Sequence, residues 1–263
     1  MTVLLGIILT HNEGRHITDC IESLRFCNDV VVFDSYSTDD TMSLALWAGV
    51  QMLQHPFTDY ASQRNAALDA VSEVADWVLF VDADERVTPQ LADEVLAAIN
   101  QPGYAGYRIP RHNYIFGKLT KGAGWYPDYQ TRLLRVGKAR YDPARPVHEV
   151  VQLEGELGTL KNPLTHYNYR DTTHFAEKQR RYSAYDAQIL HEQGVRVKPH
   201  HLITQPLRHF WWRFVTLKGY QDGLHGLHLS LLMAAYEFRK YRLLAALSRQ
   251  VGQAPSTTGT NTP

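Results

Sequence analysis

The stretch "WVLFVDADERVTP", residues 77–89, decides the fold. Apolar and aromatic residues run from Trp77 to Val81 at strand length and stop at three acids, Asp82, Asp84 and Glu85. Thr88 and Pro89 then read as an N-cap and a first helical residue, and apolar residues recur at helical spacing to residue 100. This is a strand–turn–helix unit with its polar chemistry gathered where the strand ends. Asp82 and Asp84 are two apart at the strand's end, and at strand period both side chains leave the same face. Two carboxylates aimed one way repel unless a cation lies between them. Ligands that are all oxygen suit Mg²⁺ or Mn²⁺, which keep waters and accept phosphate oxygens. The same acids also fit a solvated turn before a capped helix, and the motif by itself does not separate the two.

Upstream the unit repeats. "VLLGIIL" (3–9), "DVVVFD" (29–34) and "VQMLQ" (50–54) read as strands. Residues 13–24, 37–49 and 59–75 carry apolar residues at helical spacing between them. A βαβαβαβα order predicts an α/β fold: a mixed, mostly parallel sheet with helices on both faces. Such sheets bind ligands outside the carboxyl ends of their strands. The polar clusters "THNE" (10–13), "DSYSTDD" (34–40) and "DADE" (82–85) all fall there. Right-handed crossovers are enough to bring the three loops to one rim.

After residue 103 the chain becomes rich in Tyr, Trp, Gly and Arg, with short strand-like pieces, "GYRIP", "QTRLLRV", "VVQLEG" and "LTHYNY". These read as an antiparallel addition to the sheet. Residues 171–194 and 199–247 read as helices, and "GQAPSTTGTNTP" has too few core-forming residues to fold.

The bulk numbers exclude several classes. The 263 residues are 44% hydrophobic and 21% charged, an ordinary globular composition. Lys plus Arg and Asp plus Glu are both 27, which argues against a nucleic-acid binder. The two cysteines, Cys20 and Cys27, form neither a CxxC pair nor a disulfide framework, so a reducing cytoplasm is expected. The N-terminus lacks a basic region and a cleavage site, and no apolar run reaches transmembrane length.

Phosphate-binding loops of the GxGxxG and GxxxxGK[ST] kinds are absent. A bound diphosphate would need a metal for most of its neutralisation, which favours the metal reading of the acids. Asn12 and Glu13 could hydrogen-bond a base or ribose, Asp34 could accept from either, and Arg64, beside Asn65, could reach a phosphate. Each has a plain alternative: a helix cap, a strand-end turn, a solvated arginine.

Taken in order, "ILTHNEGRHITDCIESL", "DVVVFDSYSTDDT", "YASQRNAALDAV" and "WVLFVDADERVTP" resemble the family 2 glycosyltransferases of GT-A fold, and most closely the bacterial lipopolysaccharide-core glucosyltransferases. The resemblance is strong over residues 3–100 and looser to about residue 170. It implies inverting transfer from a nucleotide-diphosphate sugar, UDP-glucose, with Mg²⁺ or Mn²⁺. Carried onto this chain, Thr10, Asn12, Glu13 and Asp34 would contact the nucleotide, and Arg64 and Asn65 would flank the donor. Asp82, Ala83 and Asp84 would be the DxD motif, with Asp82 and Asp84 on the metal. His166 in "LTHYNY" would be a third ligand or a diphosphate contact.

Residues 1–170 would form the catalytic domain, with 1–103 binding nucleotide sugar and 104–170 the acceptor. Residues 171–248 would be a helical region and 249–263 a disordered tail. Inversion needs a carboxylate base. The Glu-Asp pair that many members carry in their second half is missing, which leaves Glu149 in "RPVHEVV" and Asp128 in "GWYPDYQTRLLR". Trp125 and Tyr126 could stack on a sugar, Arg132 could hold diphosphate or an anionic acceptor, and His148 could orient a neighbour.

"RHFWWRFVTLKGYQDGLHGLHLSLLMAAYEFRKYRLLAAL" (208–247) mixes aromatics with cations, a pattern that suits an anionic membrane surface, packing on the catalytic domain, or a dimer contact. The resemblance implies a lipid A–core acceptor and a peripheral place on the cytoplasmic face of the inner membrane. Two rivals fit less well. A DxDx[TV] phosphatase would have its acids on the first strand and Thr or Val where Arg86 stands, and a non-catalytic nucleotide-sugar or lipid-binding module would need no base. "HEVVQ" lacks the second histidine of HExxH.

Overall fold

The structure is a computed structural model that describes residues 2–142 and 150–251. Within these limits the chain forms two compact units, one of residues 1–114 and 126–168 and the other of residues 115–125 and 169 onward. Residues 115–125, grouped with the acceptor half on sequence grounds, belong to the second unit.

The first unit begins with β1 (Leu4–Thr10), α1 (Ile17–Ser23), β2 (Asp29–Asp34), α2 (Thr41–Trp47), β3 (Gln51–Gln54), α3 (Tyr60–Ala70) and β4 (Trp77–Asp82). It continues through β5 (Glu85–Arg86), α4 (Pro89–Ala98) and β6 (Tyr104–Ile115). β1 is parallel to β2 and β4, and β2 to β3, as the alternation requires. Strand alternation sorts the core into two faces. Leu4, Ile8, Val30, Val32, Leu79 and Val81 pack with Ile17, Ile21 and Leu91 from α1 and α4. Leu5, Ile7, Val31, Phe33, Val78 and Phe80 pack with Ala61, Ala67 and Leu68 of α3. Runs that are apolar at every position are what a sheet covered on both faces needs. Thr88 caps α4, its side chain accepting the Leu91 N–H at 3.2 Å, with Pro89 at the first turn as expected.

Downstream of β7 (Lys118–Thr120), which belongs to the second unit, come β8 (Asp128–Arg135), β9 (Ala139–Tyr141), β10 (Val151–Leu153), β11 (Glu156–Thr159) and β12 (Leu164–Tyr169). The sheet runs β3-β2-β1-β4-β8-β6-β12-β5, antiparallel at β4–β8, β8–β6 and β12–β5. This is the mixed α/β architecture read from the sequence, but the addition is not wholly antiparallel or in one sheet: β11 joins β6 in parallel, and β10, from "VVQLEG", pairs only with β9 in a separate two-stranded sheet among the described residues.

The second unit holds α5 (Thr172–Glu192), α6 (His201–Trp211), a π turn (Trp212–Thr216), a 3₁₀ turn (Gly219–Asp222) and α7 (Gly223–Val251). Its core is Ile115, Tyr169, Phe175 and Leu229. A Cβ on Gly226 would come within 1.8 Å of the Gly219 carbonyl oxygen, so only glycine lets α7 pass the 3₁₀ turn. Among the described residues no helix is long and apolar enough to cross a membrane. The tail expected to be disordered falls, from residue 252 on, outside the described residues.

Candidate active site

Register brings the rim together. Thr10 lies opposite Asp34, Leu9 opposite Asp82 and Asp34 opposite Gln54, so the ends of β3, β2, β1 and β4 stand side by side. The loops between them are cross-braced. Asn12, in the left-handed region at φ 57°, donates its N–H to Ser37 Oγ and accepts the Thr38 N–H on Oδ1, each at 2.8 Å. The Glu13 N–H donates to Thr41 Oγ1 at 2.8 Å. Asp34 is fully buried and accepts the Ser37 N–H at 2.9 Å. Thr10 is buried, and its hydroxyl has no hydrogen-bond partner among the described residues.

The "DADE" segment departs from a continued strand. β4 stops at Asp82, and Ala83 and Asp84 make a turn before the two-residue β5. The two aspartates therefore take different partners. Asp82 Oδ1 accepts from Arg64 Nη2 at 3.2 Å and Arg132 Nη1 at 3.1 Å, while its Oδ2 pairs with Arg132 Nη2. Burial would raise the Asp82 carboxyl, but Arg132 and Arg64 together hold it well below the usual carboxylate range. Asp84 instead faces His166, Oδ2 to Nε2 at 3.4 Å. β12 is responsible: His166 pairs with Glu85 in the ladder, and the Tyr167 N–H donates to the Asp84 carbonyl at 2.9 Å.

Glu85 supports the turn, as its position suggests. It has no solvent exposure, accepts the Asp82 N–H at 3.0 Å on Oε2, and takes Arg132 and Arg111 on Oε1 at 3.0 and 3.1 Å. Ala83 is buried and its carbonyl accepts from Arg86, whose guanidinium lies 5.6 Å from the Tyr167 ring centre.

Asp128, a base candidate, is tied on both oxygens. Arg111 reaches Oδ2 at 2.9 and 2.6 Å, Asn113 joins it at 3.1 Å, and Gln130 holds Oδ1 at 3.0 Å. Burial works to raise its pKa, but the Arg111 charge and these hydrogen bonds leave it lowered. The other candidate, Glu149, and its neighbour His148 lie outside the described residues. Arg64 is turned toward Asp82, its guanidinium over Phe80 and Tyr141. Asn65 spends both ends of its amide on the Tyr141 backbone, at 2.9 Å each. Tyr126 lies against His112, rings 5.1 Å apart, whereas Trp125 is in the second unit with Arg213 over its ring at 5.6 Å.

Arg111 and Asn113 were missed by the sequence reading. Their signal was available: with Ile109 and Ile115 they alternate on one strand, polar residues in a row of otherwise buried apolar ones.

Among the described residues no three His, Cys, Asp or Glu side chains gather as a metal cluster, so Asp82, Asp84 and His166 do not form one triad. The Asp84–His166 pair nonetheless fits a divalent cation. It offers one carboxylate oxygen and one imidazole nitrogen, with phosphate oxygens and waters to complete the shell.

The chain is similar along most of its length to several known proteins. A lipopolysaccharide core biosynthesis glycosyltransferase, LpsC of Rhizobium meliloti, is 31% identical, covering 92% of this chain and 94% of its own. An uncharacterised glycosyltransferase of Rickettsia felis is 27% identical, covering 94% and 90%. The crystal structure of S. aureus TarS 1-349 superposes with a TM-score of 0.48 at 17% identity, covering 96% of this chain and 92% of that one. Residues 7–144 match the family described as "Glycosyl transferase family 2", and the chain belongs to it.

Proposed function

We propose that the chain transfers a hexose, with inversion, from a nucleotide-diphosphate sugar to a lipopolysaccharide-core-type glycolipid, assisted by Mg²⁺ or Mn²⁺. The observation that carries this reading is the Asp84–His166 pair, set beside the aligned strand ends of a family 2 glycosyltransferase. Thr10, Asn12, Glu13 and Asp34 take the nucleotide side. Asp84 and His166 hold the cation, which when bound neutralises charge developing on the diphosphate. Asp82 keeps Arg64 and Arg132 in place at the rim.

Glu149 is the base. It takes the proton from the acceptor hydroxyl, whose oxygen bonds to the anomeric carbon as the bond to diphosphate breaks and the nucleoside diphosphate leaves. The tethering of Asp128 by Arg111, Asn113 and Gln130, and its lowered pKa, make it the weaker candidate. UDP-glucose and an inner-core heptose are the donor and acceptor in this reading, supported by the relative that builds lipopolysaccharide core.

Such an acceptor is presented at a membrane surface, and we place the enzyme peripherally on the cytoplasmic face. In support, α6 buries none of its residues, and Ile203, Leu207 and Trp211, four apart, are 66%, 63% and 63% exposed. From residue 193 to 221 there is no acid, while Arg196, Lys198, Arg208, Arg213 and Lys218 are all cationic. This combination suits anionic lipid.

A panel of nucleotide sugars with Mn²⁺, read by thermal shift, tests the donor, since a ligand bound only by the folded state stabilises it. One sugar nucleotide should raise Tm and support transfer. Glu149→Gln should still bind donor while losing about 100-fold or more in transfer. Lack of stabilisation by every nucleotide sugar defeats the reading, and near-normal transfer by Glu149→Gln defeats the base.

A further inference from the structure

Asn113 is buried without exposure on β6 and uses both ends of its side-chain amide. Its Nδ2 donates to Asp128 Oδ2 at 3.1 Å. Its Oδ1 lies 2.7 Å from His166 Nδ1 and accepts from Asn168 Nδ2 at 3.2 Å. Amide orientation and imidazole tautomer are ordinarily open choices. Here they are linked. The Asp128 carboxylate, already gripped by Arg111, can only accept, so it fixes which end of the amide carries the hydrogens. The other end is then an oxygen, which cannot donate. His166 Nδ1 must therefore carry the hydrogen, and in the neutral ring Nε2 is left with a lone pair. Nε2 is the atom that faces Asp84 at 3.4 Å. Two acceptors facing each other are an arrangement that a cation relieves.

We propose that Asn113, backed by Asp128, is a positioning residue that locks His166 as its Nδ1–H tautomer and so turns Asp84 and His166 into a two-ligand seat for a divalent cation. It gives Asp128 a task other than proton abstraction. It also explains why a polar side chain is retained at a fully buried strand position. The proposal rests on the metal reading of the pair, but its first readout needs no metal.

That readout is the imidazole ¹H–¹⁵N long-range spectrum of the metal-free chain, with the His166 signals identified by their loss in His166→Gln. The wild type should show Nδ1–H. Asn113→Ala should convert this signal to a mixture of tautomers. Mn²⁺ affinity, measured by calorimetry with Mn²⁺ alone and with UDP, should fall about 10–100-fold, as expected when the partner orienting a ligand is removed. Asp128→Asn, which frees the amide to turn over, should show a smaller loss in the same direction. Should Asn113→Ala fail to fold, Asn113→Ser and the wild-type spectrum still decide. An Nε2–H signal in the wild type overturns the proposal, as does Asn113→Ala with unchanged tautomer and Mn²⁺ affinity. A wild type that shows Nδ1–H yet binds no Mn²⁺ under either condition overturns the seat and the metal reading together, while donor stabilisation would still uphold the transferase.

Discussion

The rim of the first unit and helix α6 of the second depart from the inside-out rule in opposite directions. At the rim, charge is hidden: Glu85 and Arg132 are almost without solvent, and Arg64, Asp82, Arg111 and Asp128 complete one ion-paired chain around them. On α6, apolar surface is shown, with Ile203, Leu207 and Trp211 facing outward. Buried charge survives only where each group finds a partner, and exposed large apolar residues in a row mark something that covers them. The charges of the first region are paired with one another, whereas the apolar row of the second is open to solvent. The two should therefore respond differently to mutation: the rim through stability, the helix through association.

Glu85→Ala should have the largest effect. It strips one carboxylate from both Arg111 and Arg132 in a dry setting and should lower unfolding free energy by about 3–5 kcal/mol in urea titration. A loss below about 1 kcal/mol would mean the network is no more than a wet surface cluster. Next comes the helix. Leu207→Glu with Trp211→Glu should leave the urea midpoint unchanged and reduce sedimentation with phosphatidylglycerol vesicles by at least about tenfold, since each residue removes roughly 1.5–3 kcal/mol of apolar burial. Equal vesicle binding by the double variant, or self-association of the wild type in place of vesicle binding, would refute the lipid surface.

The smallest effect concerns acid. Asp128 has a folded pKa below its ordinary value of about 3.9, so its stabilising share is complete above about pH 4 and is lost as pH falls through the folded value. Asp128→Asn should therefore flatten the decline in stability as pH falls below about 4. A decline as steep as that of the wild type would assign the acid sensitivity to other carboxylates, Asp82 first among them.

The parallel half of the sheet was legible because its information is local. Continuous apolar runs, Thr88 before Pro89 and polar clusters at strand ends all sit within a few residues of what they specify. The partners of those clusters were not legible, because they come from far along the chain. Arg64 and Arg132 reach Asp82 across 18 and 50 residues, and nothing near "DADE" announces them. The period-two argument placed Asp82 and Asp84 on one face, but a turn at Ala83 intervenes and gives them separate partners. His166 was noticed as a late histidine. Only the pairing of β12 with β5 brings it to Asp84. Arg111 and Asn113 lie past the strand-like piece "GYRIP", on the stretch of β6 that runs on to Ile115 with mixed polar and aromatic residues in place of a clear strand pattern.

Asn65 fastens the Tyr141 backbone, and the Asp142 N–H donates to the Val150 carbonyl at 3.0 Å. Together these bonds close the neck of the segment that carries His148 and Glu149. The residues on either side of that segment are thus held by bonds that none of its own side chains supplies. Substitutions between residues 143 and 148 that leave Glu149 in place should therefore change acceptor preference while the strand rim stays as it is.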